Sequence, residues 1–499
     1  MGYPRHFIRV TCNQFYRFFR YDFLGDMLKL KVYNNSLNTI IRGHIFMKKF
    51  KLNKEIDKEI IGLAWPSITE QILEMLVGIV STVFMSWIGT AALAGVGMVN
   101  MLINFLQTVF SGLSIGTTVV IARVTGEGNH TEAKRTLVQS GYMALVVGIF
   151  LLVTGKVFSN PILNLFLGGA KVQVFNYGLT YFNIILFSLP FFVLDIIVSG
   201  AMRGAGDTKT PMYITGGVNI LNIILNTILI FGVPFLHIPG MGVAGSAIAV
   251  TASRIIGVTV RVLVLYNKKG LKLNLSLKDN YRLKPQLMKR IINIGVPGFI
   301  EQAVMQGGFL ILQLIIVRMG TVAMAAYQIG ININAIAFFP IFGFAIANTT
   351  LVGQSLGEKN YDKANNYSYE ALKITMLFGF VLGIFMFAFA PLLARIYSND
   401  PEVIKESVMI VRTFGVLEPL LGVLNICSAT LKAAGDIKYV MITSLVGLWA
   451  LRVLPSYALD RVLGMGLIAV MIGIFLDFCS RSVMYLLRMN KGEWKYLKV

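Results

Sequence analysis

The chain has 499 residues, of which 56% are hydrophobic and only 14% are charged. Together with a mean hydropathy of +0.70, this composition excludes a soluble enzyme, a disordered chain, a coiled coil and a collagen, and it favours an integral membrane protein. The formal net charge of +21 is distributed between apolar stretches rather than gathered on one segment, so we expect the lipid bilayer, and no nucleic acid, as a partner.

Residues 1–46 differ from the rest of the chain because they are rich in Arg, Phe, Tyr and Asn and contain no clean apolar run. They also lack a secretory apolar region followed by a small-residue cleavage site. One interpretation is a basic and aromatic arm at the membrane interface, which would make residues 1–54 an N-terminal extension. The other, which we favour, is that the natural start is Met47, because "MKKFKLNKEIDKE" is an ordinary lead-in to a first membrane helix.

Apolar segments of roughly 20–30 residues follow, each long enough to cross a hydrocarbon core of about 30 Å as a helix. They do not alternate apolar with polar residues as β-barrel strands do. The sequence therefore predicts an all-α, polytopic membrane protein with about twelve spans. The predicted spans are residues 59–88, 92–122, 136–157, 173–202, 210–232, 242–265, 289–317, 322–353, 368–393, 404–431, 438–458 and 465–487.

The distribution of Lys and Arg predicts the orientation of these spans. If the N-terminus is cytoplasmic, the loops on the inner side carry most of the basic residues, and the loops on the outer side carry few. Cytoplasmic loops are enriched in Lys and Arg. We therefore expect a multi-pass protein of the cell membrane with both termini in the cytoplasm.

The two halves of the chain resemble each other. Three pairs of segments are spaced 231 residues apart, and "RGAGDTKTPM" at 203–212 corresponds to "KAAGDIKYVM" at 432–441. The three pairs are "WPSITEQ" at 65–71 with "VPGFIEQ" at 296–302, "IGTAALAG" at 88–95 with "MGTVAMAA" at 319–326, and "TGEGNHTEA" at 125–133 with "LGEKNYDKA" at 356–364. Corresponding segments are six spans apart, so the two copies share one orientation in the membrane.

This repeat predicts two pseudosymmetric six-helix bundles that enclose a cavity and rock against each other. The predicted organisation is an N-lobe at 55–265, a polar and basic cytoplasmic linker at 266–288, a C-lobe at 289–490 and a C-terminal tail at 491–499.

With these motifs, the chain resembles the multidrug and toxic compound extrusion (MATE) transporters. The resemblance is carried by Pro-x-x-x-Glu-Gln in both first helices, the Gly-Thr-x-Ala-x-Ala and Gly-Glu-x-Asn-x-x-x-Ala loops, and "RGAGDTKTPM", and it covers about residues 55–490. It implies twelve helices in two lobes and ion-coupled export of bulky, often cationic or amphipathic compounds. Similar microbial transporters carry an Asp where this chain has Ser81 and another where it has Asn226, so their aspartate site cannot be transferred intact.

Acidic and amide residues deep in the predicted spans are candidates for ion coupling. Counted along helices, Glu70 and Glu74 lie roughly 16 and 22 Å from Glu59, and Asn222 and Asn226 lie at matching depths beyond Pro211. Burial favours the neutral form of a carboxyl group, which makes reversible protonation possible. Each of these groups could instead be satisfied by hydrogen bonds between helices.

The remaining candidates come from the repeat and from the missing aspartates. Glu301 is the repeat mate of Glu70, Glu418 lies in the tenth span beside Pro419, and Asp195 or Glu74 could replace the missing carboxylates. The candidates for ion or proton coupling are Glu70, Glu74, Asn222, Asn226, Asp195, Glu301 and Glu418, and the candidates for polar positions of the substrate cavity are Gln71, Ser81, Gln302 and Asn219.

The sequence contains no nucleotide motif, no nucleophile–base set and no His or Cys at metal-ligand spacing, so we expect neither an enzyme nor a cofactor. The predicted function is an antiporter, expected to be a monomer, that exports drugs or metabolites in exchange for H⁺ or Na⁺. A flippase for lipid-linked sugars or peptidoglycan precursors is the alternative, although it should carry a more cationic cavity. A receptor or scaffold that does not transport is a further alternative.

Overall fold

A computed structural model of the chain describes residues 54–232, 239–267, 273–276 and 282–497. The interpretations of residues 1–46, including a start at Met47, lie outside these residues. The described part contains twelve helices that are long and apolar enough to cross a membrane, and no strand. The all-α, polytopic fold class predicted from hydropathy is therefore confirmed.

The twelve spanning helices are numbered in chain order. They are α1 Lys54–Ile88, α2 Thr90–Gly126, α3 His130–Val157, α4 Val172–Gly204, α5 Lys209–Phe231, α6 Gly242–Asn267, α7 Pro285–Val317, α8 Thr321–Gly357, α9 Tyr361–Tyr397, α10 Pro401–Ala433, α11 Ile437–Leu463 and α12 Leu467–Lys491. A short helix, Ser159–Leu167, precedes α4, and a turn of 3₁₀ helix, Leu186–Ser188, lies within it. We call α1–α6 the N-lobe and α7–α12 the C-lobe.

The repeat seen in the sequence is reproduced in the local geometry of the loops. The side chain of Asn129 accepts a hydrogen bond from the amide of Glu132 and caps α3, and Asn360 caps α9 in the same way. Gly89 and Gly320, which join the first two helices of each lobe, have φ angles of 142° and 109°. These positive φ values are readily adopted by glycine, which explains the glycine that begins both Gly-Thr loops.

The first helix of each lobe packs against the other lobe along its first half. Ile60 and Ala64 of α1 belong to the apolar core that contains α8 and α9. In the same way, Ile291 and Ile294 of α7 belong to the core that contains α2 and α3. Both helices continue through an internal proline, Pro66 in α1 and Pro297 in α7. Further along, Phe84 of α1 and Leu312 of α7 belong to the apolar cores of their own lobes.

Glycines allow the two lobes to approach each other closely. A Cβ added to Gly112 of α2 would lie 2.3 Å from the carbonyl oxygen of Gly298 in α7. One added to Gly126 would lie 2.0 Å from the oxygen of Gln354, and one added to Gly357 would lie 2.0 Å from the oxygen of Arg123. Gly126 and Gly357 are repeat mates, so each lobe contributes the same glycine to the contact.

The hydrogen bonds between the lobes lie at one end of the helices. Thr350 Oγ1 donates to the carbonyl of Arg203 at 2.9 Å, Gln354 Nε2 donates to that of Gly204 at 3.0 Å, and Arg123 Nη2 donates to that of Ala434 at 3.0 Å. We call this set of residues the interlobe seam: Arg123, Gly126, Arg203, Gly204, Thr350, Gln354, Gly357 and Ala434. It lies at the ends where α2, α4, α8 and α10 terminate.

Candidate functional site

The N-lobe contains a buried ion pair one helical turn beyond the proline of α1. Glu70 is only 2% exposed, and its Oε2 atom lies 3.0 Å from Nη1 of Arg203 in the last turn of α4. Its other oxygen accepts a hydrogen bond from Thr215 of α5 at 3.2 Å. Three helices thus converge on one carboxylate, whose charge is compensated inside the lobe.

Further charged side chains surround this pair. Arg261 of α6 is buried, donates to Thr215 at 2.7 Å, and forms a close ion pair with Asp195 of α4. Glu74 has no hydrogen bond or ion pair in the described part of the chain, yet it lies within electrostatic range of Glu70, Asp195, Arg203 and Arg261. Glu74 is exposed, whereas Asp195 and Arg203 are half-buried, so it is the most accessible member of this N-lobe charge network.

The C-lobe reproduces the arrangement with other residue types. Glu301 of α7 is 6% exposed and pairs with Nζ of Lys432, in the last turn of α10, at 2.9 Å. The contact is ionic rather than a directed hydrogen bond. Ser444 of α11 donates to the other oxygen at 3.5 Å and lies 3.1 Å from the hydroxyl of Tyr485 in α12. In the repeat, Lys432 occupies the place of Arg203, and Ser444 that of Thr215.

A second ion cluster supports α11 and α12. Asp477 is fully buried and binds Arg481 through both carboxylate oxygens, at 2.5 and 2.7 Å, and Arg452 at 2.8 Å. Arg452 belongs to a π-helical segment, Val446–Val453, a geometry that is frequent near functional sites. Arg481 lies within electrostatic range of Glu301, so this cluster adjoins the ion pair of the C-lobe.

Glu418 of α10 is the buried acid without a basic partner in the described residues. It is 1% exposed, its Oε1 atom accepts a hydrogen bond from Asn334 of α8 at 2.5 Å, and its Oε2 atom has no hydrogen-bond partner there. Helix α9 packs closely against α10 beside this residue, since a Cβ on Gly383 would lie 2.2 Å from the carbonyl oxygen of Gly415 and 3.6 Å from the Cβ of Glu418.

Both halves of the chain match one known protein family. The MatE family model matches residues 66–228 and 297–458, one match for each half of the repeat. The chain belongs to the MatE family.

Relatives of this MatE transporter match most of its length. A probable multidrug resistance protein NorM of Thermotoga maritima is 31% identical over 441 residues, which is 88% of this chain and 94% of that protein. An uncharacterized transporter, YisQ, of Bacillus subtilis is 27% identical over 454 residues, covering 90% and 97% of the two chains.

Solved MATE structures share the fold. A MATE transporter in complex with MaL6 superposes with a TM-score of 0.80 at 24% identity, covering 89% of this chain and 98% of that one. A transporter of the MOP superfamily from Pyrococcus furiosus, described as having a binding pocket of reverse polarity, gives a TM-score of 0.80 at 23% identity, with 89% and 97% coverage. These likenesses support two pseudosymmetric six-helix bundles in the MatE chain.

The asparagines of α5 form a separate group in this MatE transporter. Asn226 donates to both the carbonyl and the side-chain oxygen of Asn222 at 2.9 Å, and Asn222 donates to Ser253 of α6 at 3.4 Å. Both are buried, and no hydrogen bond joins them to Glu70 or Glu74 within the described residues. The glutamates of α1 and the asparagines of α5, which the sequence predicts at matching depths, are therefore not linked by direct hydrogen bonds within the described residues.

The predicted polar positions of the cavity are all partly accessible. Gln71, Ser81, Gln302 and Asn219 are half-buried. Asn219 has a buried side-chain nitrogen without a partner in the described chain. Their assignment to substrate binding stays a prediction.

Sequence reasoning missed the basic partners of the two deep glutamates. Arg203 and Lys432 occupy the same position in the two copies of the repeat. A cation repeated at one position, together with an acid repeated at another, is a signal that could have identified both ion pairs. The hydroxyl partners Thr215 and Ser444 carry no such signal, because hydroxyl residues are common in membrane helices.

Proposed function

We propose that this MatE transporter exports amphipathic or cationic compounds from the cytoplasm in exchange for protons, by rocking of its two lobes. The observation that carries the proposal is Glu418, a carboxyl group buried in the C-lobe with an amide as its hydrogen-bond donor and no basic side chain paired with it in the described chain.

The environment of Glu418 suits reversible protonation. As a carboxylate it would be a buried charge that, among the described residues, only Asn334 compensates, which is costly in a low-dielectric interior. When protonated it is neutral, and it gains a hydroxyl that can donate a hydrogen bond. Taking up or losing one proton therefore changes the energy of the packing between α8, α9 and α10.

A proton fits this site better than a sodium ion. Hard cations such as Ca²⁺ and Mg²⁺ are held by about six oxygen ligands, and we expect Na⁺ to need a comparable shell, whereas a proton needs one base. The oxygens grouped around Glu70 and Glu301 are already paired with Arg203 and Lys432. Among the described residues, no group of three or more His, Cys, Asp or Glu could hold a metal ion.

The position of the interlobe seam supports alternating access. The seam lies at the ends of α2, α4, α8 and α10, and the loops at these ends are the ones that the basic residues assign to the cytoplasm. The described conformation is then closed to the cytoplasm, with the space between the lobes facing outward. We place the protein in the cell membrane, as a monomer, with both termini cytoplasmic.

The exchange follows from differential affinity of the two conformations. In the outward-facing state a proton binds Glu418 and the compound leaves, and the protonated protein favours opening of the seam to the cytoplasm. There the proton dissociates and a new compound binds. Each ligand shifts the equilibrium only by the difference between its affinities for the two states. Exposed Glu74 supplies negative charge that attracts cationic compounds into the space between the lobes.

The proposal is tested by transport of ethidium in proteoliposomes under a pH gradient and, separately, under a Na⁺ gradient, with liposomes lacking protein as control. We expect ethidium to move in the direction opposite to the imposed proton flux. Its rate of transport should not change when a Na⁺ gradient is imposed at constant pH. A response to the Na⁺ gradient alone would assign a different coupling ion. No response to either gradient would overturn antiport.

A further inference from the structure

Two short stretches of the chain take part both in an ion pair within their own lobe and in the interlobe seam. The first is Arg203–Gly204, at the end of α4, and the second is Lys432–Ala434, at the end of α10. The two stretches begin at repeat mates, Arg203 and Lys432.

In the N-lobe, the side chain of Arg203 is held by Glu70 of α1 at 3.0 Å. The backbone carbonyl of the same Arg203 accepts from Thr350 of the C-lobe, and the carbonyl of the next residue, Gly204, accepts from Gln354. The ion pair thus fixes the position of the two carbonyls that the C-lobe binds.

In the C-lobe, Lys432 is held by Glu301 of α7 at 2.9 Å. Two residues further on, the carbonyl of Ala434 accepts a hydrogen bond from Arg123 of the N-lobe at 3.0 Å. Arg123 is buried, so its guanidinium depends on such carbonyls for compensation.

We propose that Arg203 and Lys432 are positioning residues, which keep the interlobe seam closed for as long as each is paired with the glutamate of its own lobe. When a pair is lost, the end of α4 or α10 is free to move and its carbonyls leave the opposite lobe. The inference depends on the proposed function in one respect, which is that opening of the seam is a step of transport. The geometry of the seam is independent of the coupling ion.

The test measures distances between spin labels at both ends of the protein, in a chain whose three cysteines, Cys12, Cys427 and Cys479, have been replaced. One label pair replaces exposed Glu127 and Glu358 beside the seam, and a second pair replaces exposed Lys171 and Glu402 at the opposite end. Opening of the seam by rocking lengthens the first distance and shortens the second, whereas general loosening broadens both.

Because R203M alone leaves Glu70 as an unpaired buried charge, the main variants neutralise both members of a pair: E70Q/R203M and E301Q/K432M. We expect either variant to at least double the fraction of molecules with a long seam-side distance and a short opposite-end distance. The conservative variants R203K and K432R should retain the wild-type distribution, since a cation remains at each position.

Matched controls are K209M and K438M, which remove exposed cations at repeat-related positions just beyond the two stretches. They should leave both distances unchanged. Distances in both neutralised variants equal to wild type, or the same shift in K209M and K438M, would overturn the proposal. The spin-label experiment measures no transport, so it is independent of the ion-gradient experiment. If proton coupling fails in vesicles, the distance changes still test the role of the ion pairs. If the distances do not change, the ion-gradient experiment still tests proton coupling.

Discussion

Replacing Gly126 with alanine should prevent the interlobe seam from closing and shift the transporter toward the conformation that is open at this end. The added Cβ would lie 2.0 Å from the carbonyl oxygen of Gln354 and 2.7 Å from its carbon. Both atoms belong to the backbone of α8, so no side-chain movement relieves the clash. Overpacking of this kind costs about 1–3 kcal/mol, enough to change the ratio of two conformations by roughly 5–150-fold.

The measurement is the initial rate of ethidium transport in proteoliposomes, which we expect to fall at least about fivefold for G126A on this scale. G97A is the matched control, because Gly97 lies on the same helix and an added Cβ meets nothing within 4 Å. A wild-type rate for G126A, or an equal loss for G97A, would show that close approach at the seam is not required. The repeat mate Gly357, whose Cβ would meet the oxygen of Arg123, should behave like Gly126.

Replacing Glu418 with glutamine should abolish the response of transport to a pH gradient. Glutamine has nearly the shape of protonated glutamate and keeps an oxygen that accepts from Asn334, but it cannot release a proton. The C-lobe should therefore remain in the state that the protonated carboxyl favours. Coupling free energies are typically 1–3 kcal/mol, so we expect the gradient-driven rate to fall at least about fivefold.

This result is checked by the initial rate of ethidium transport as the imposed pH difference is increased. E402Q is the control, since Glu402 lies on the same helix but is exposed. It should retain the dependence of rate on gradient, whereas E418Q should show a flat profile. A profile for E418Q that parallels wild type would remove Glu418 from the coupling mechanism without affecting the fold.

The architecture could be predicted from the sequence because both of its determinants are local. Each span is an apolar segment of sufficient length, and the repeat is visible in aligned motifs such as those around Pro66 and Pro297. The depth of Glu70 and Glu301 follows from counting residues along a helix. Their burial, at 2% and 6% exposure, agrees with that count.

The partners of these acids could not be predicted, because they depend on which helices meet in space. Glu70 is far along the chain from Arg203, and only the fold, which places the side chains of α1, α4 and α5 within hydrogen-bond distance, brings them together. The matching depths of Glu74 and Asn226 suggested a common site, but Asn226 bonds to Asn222 on its own helix instead. Equal depth fixes only the position of a residue along the membrane normal. The rotation of each helix about its own axis decides which side chains are in contact.

The surroundings of Glu418 could not be predicted from the sequence either. Its position beside Pro419 in the tenth span does not indicate its surroundings, and Arg412 on the same helix is the nearest basic residue along the sequence. Arg412 in fact lies over the ring of Phe387, 5.3 Å from its centre. The absence of a basic partner for Glu418 in the described chain is a property of the assembled C-lobe, and hydropathy carries no information about it.

The most direct test of proton exchange is proton release when ethidium is added to the purified transporter in weakly buffered detergent solution with a pH-indicator dye. Because compound and proton favour opposite states, binding should release protons from the wild-type protein and markedly fewer from E418Q. Binding of ethidium without any proton release from the wild-type protein would contradict the account.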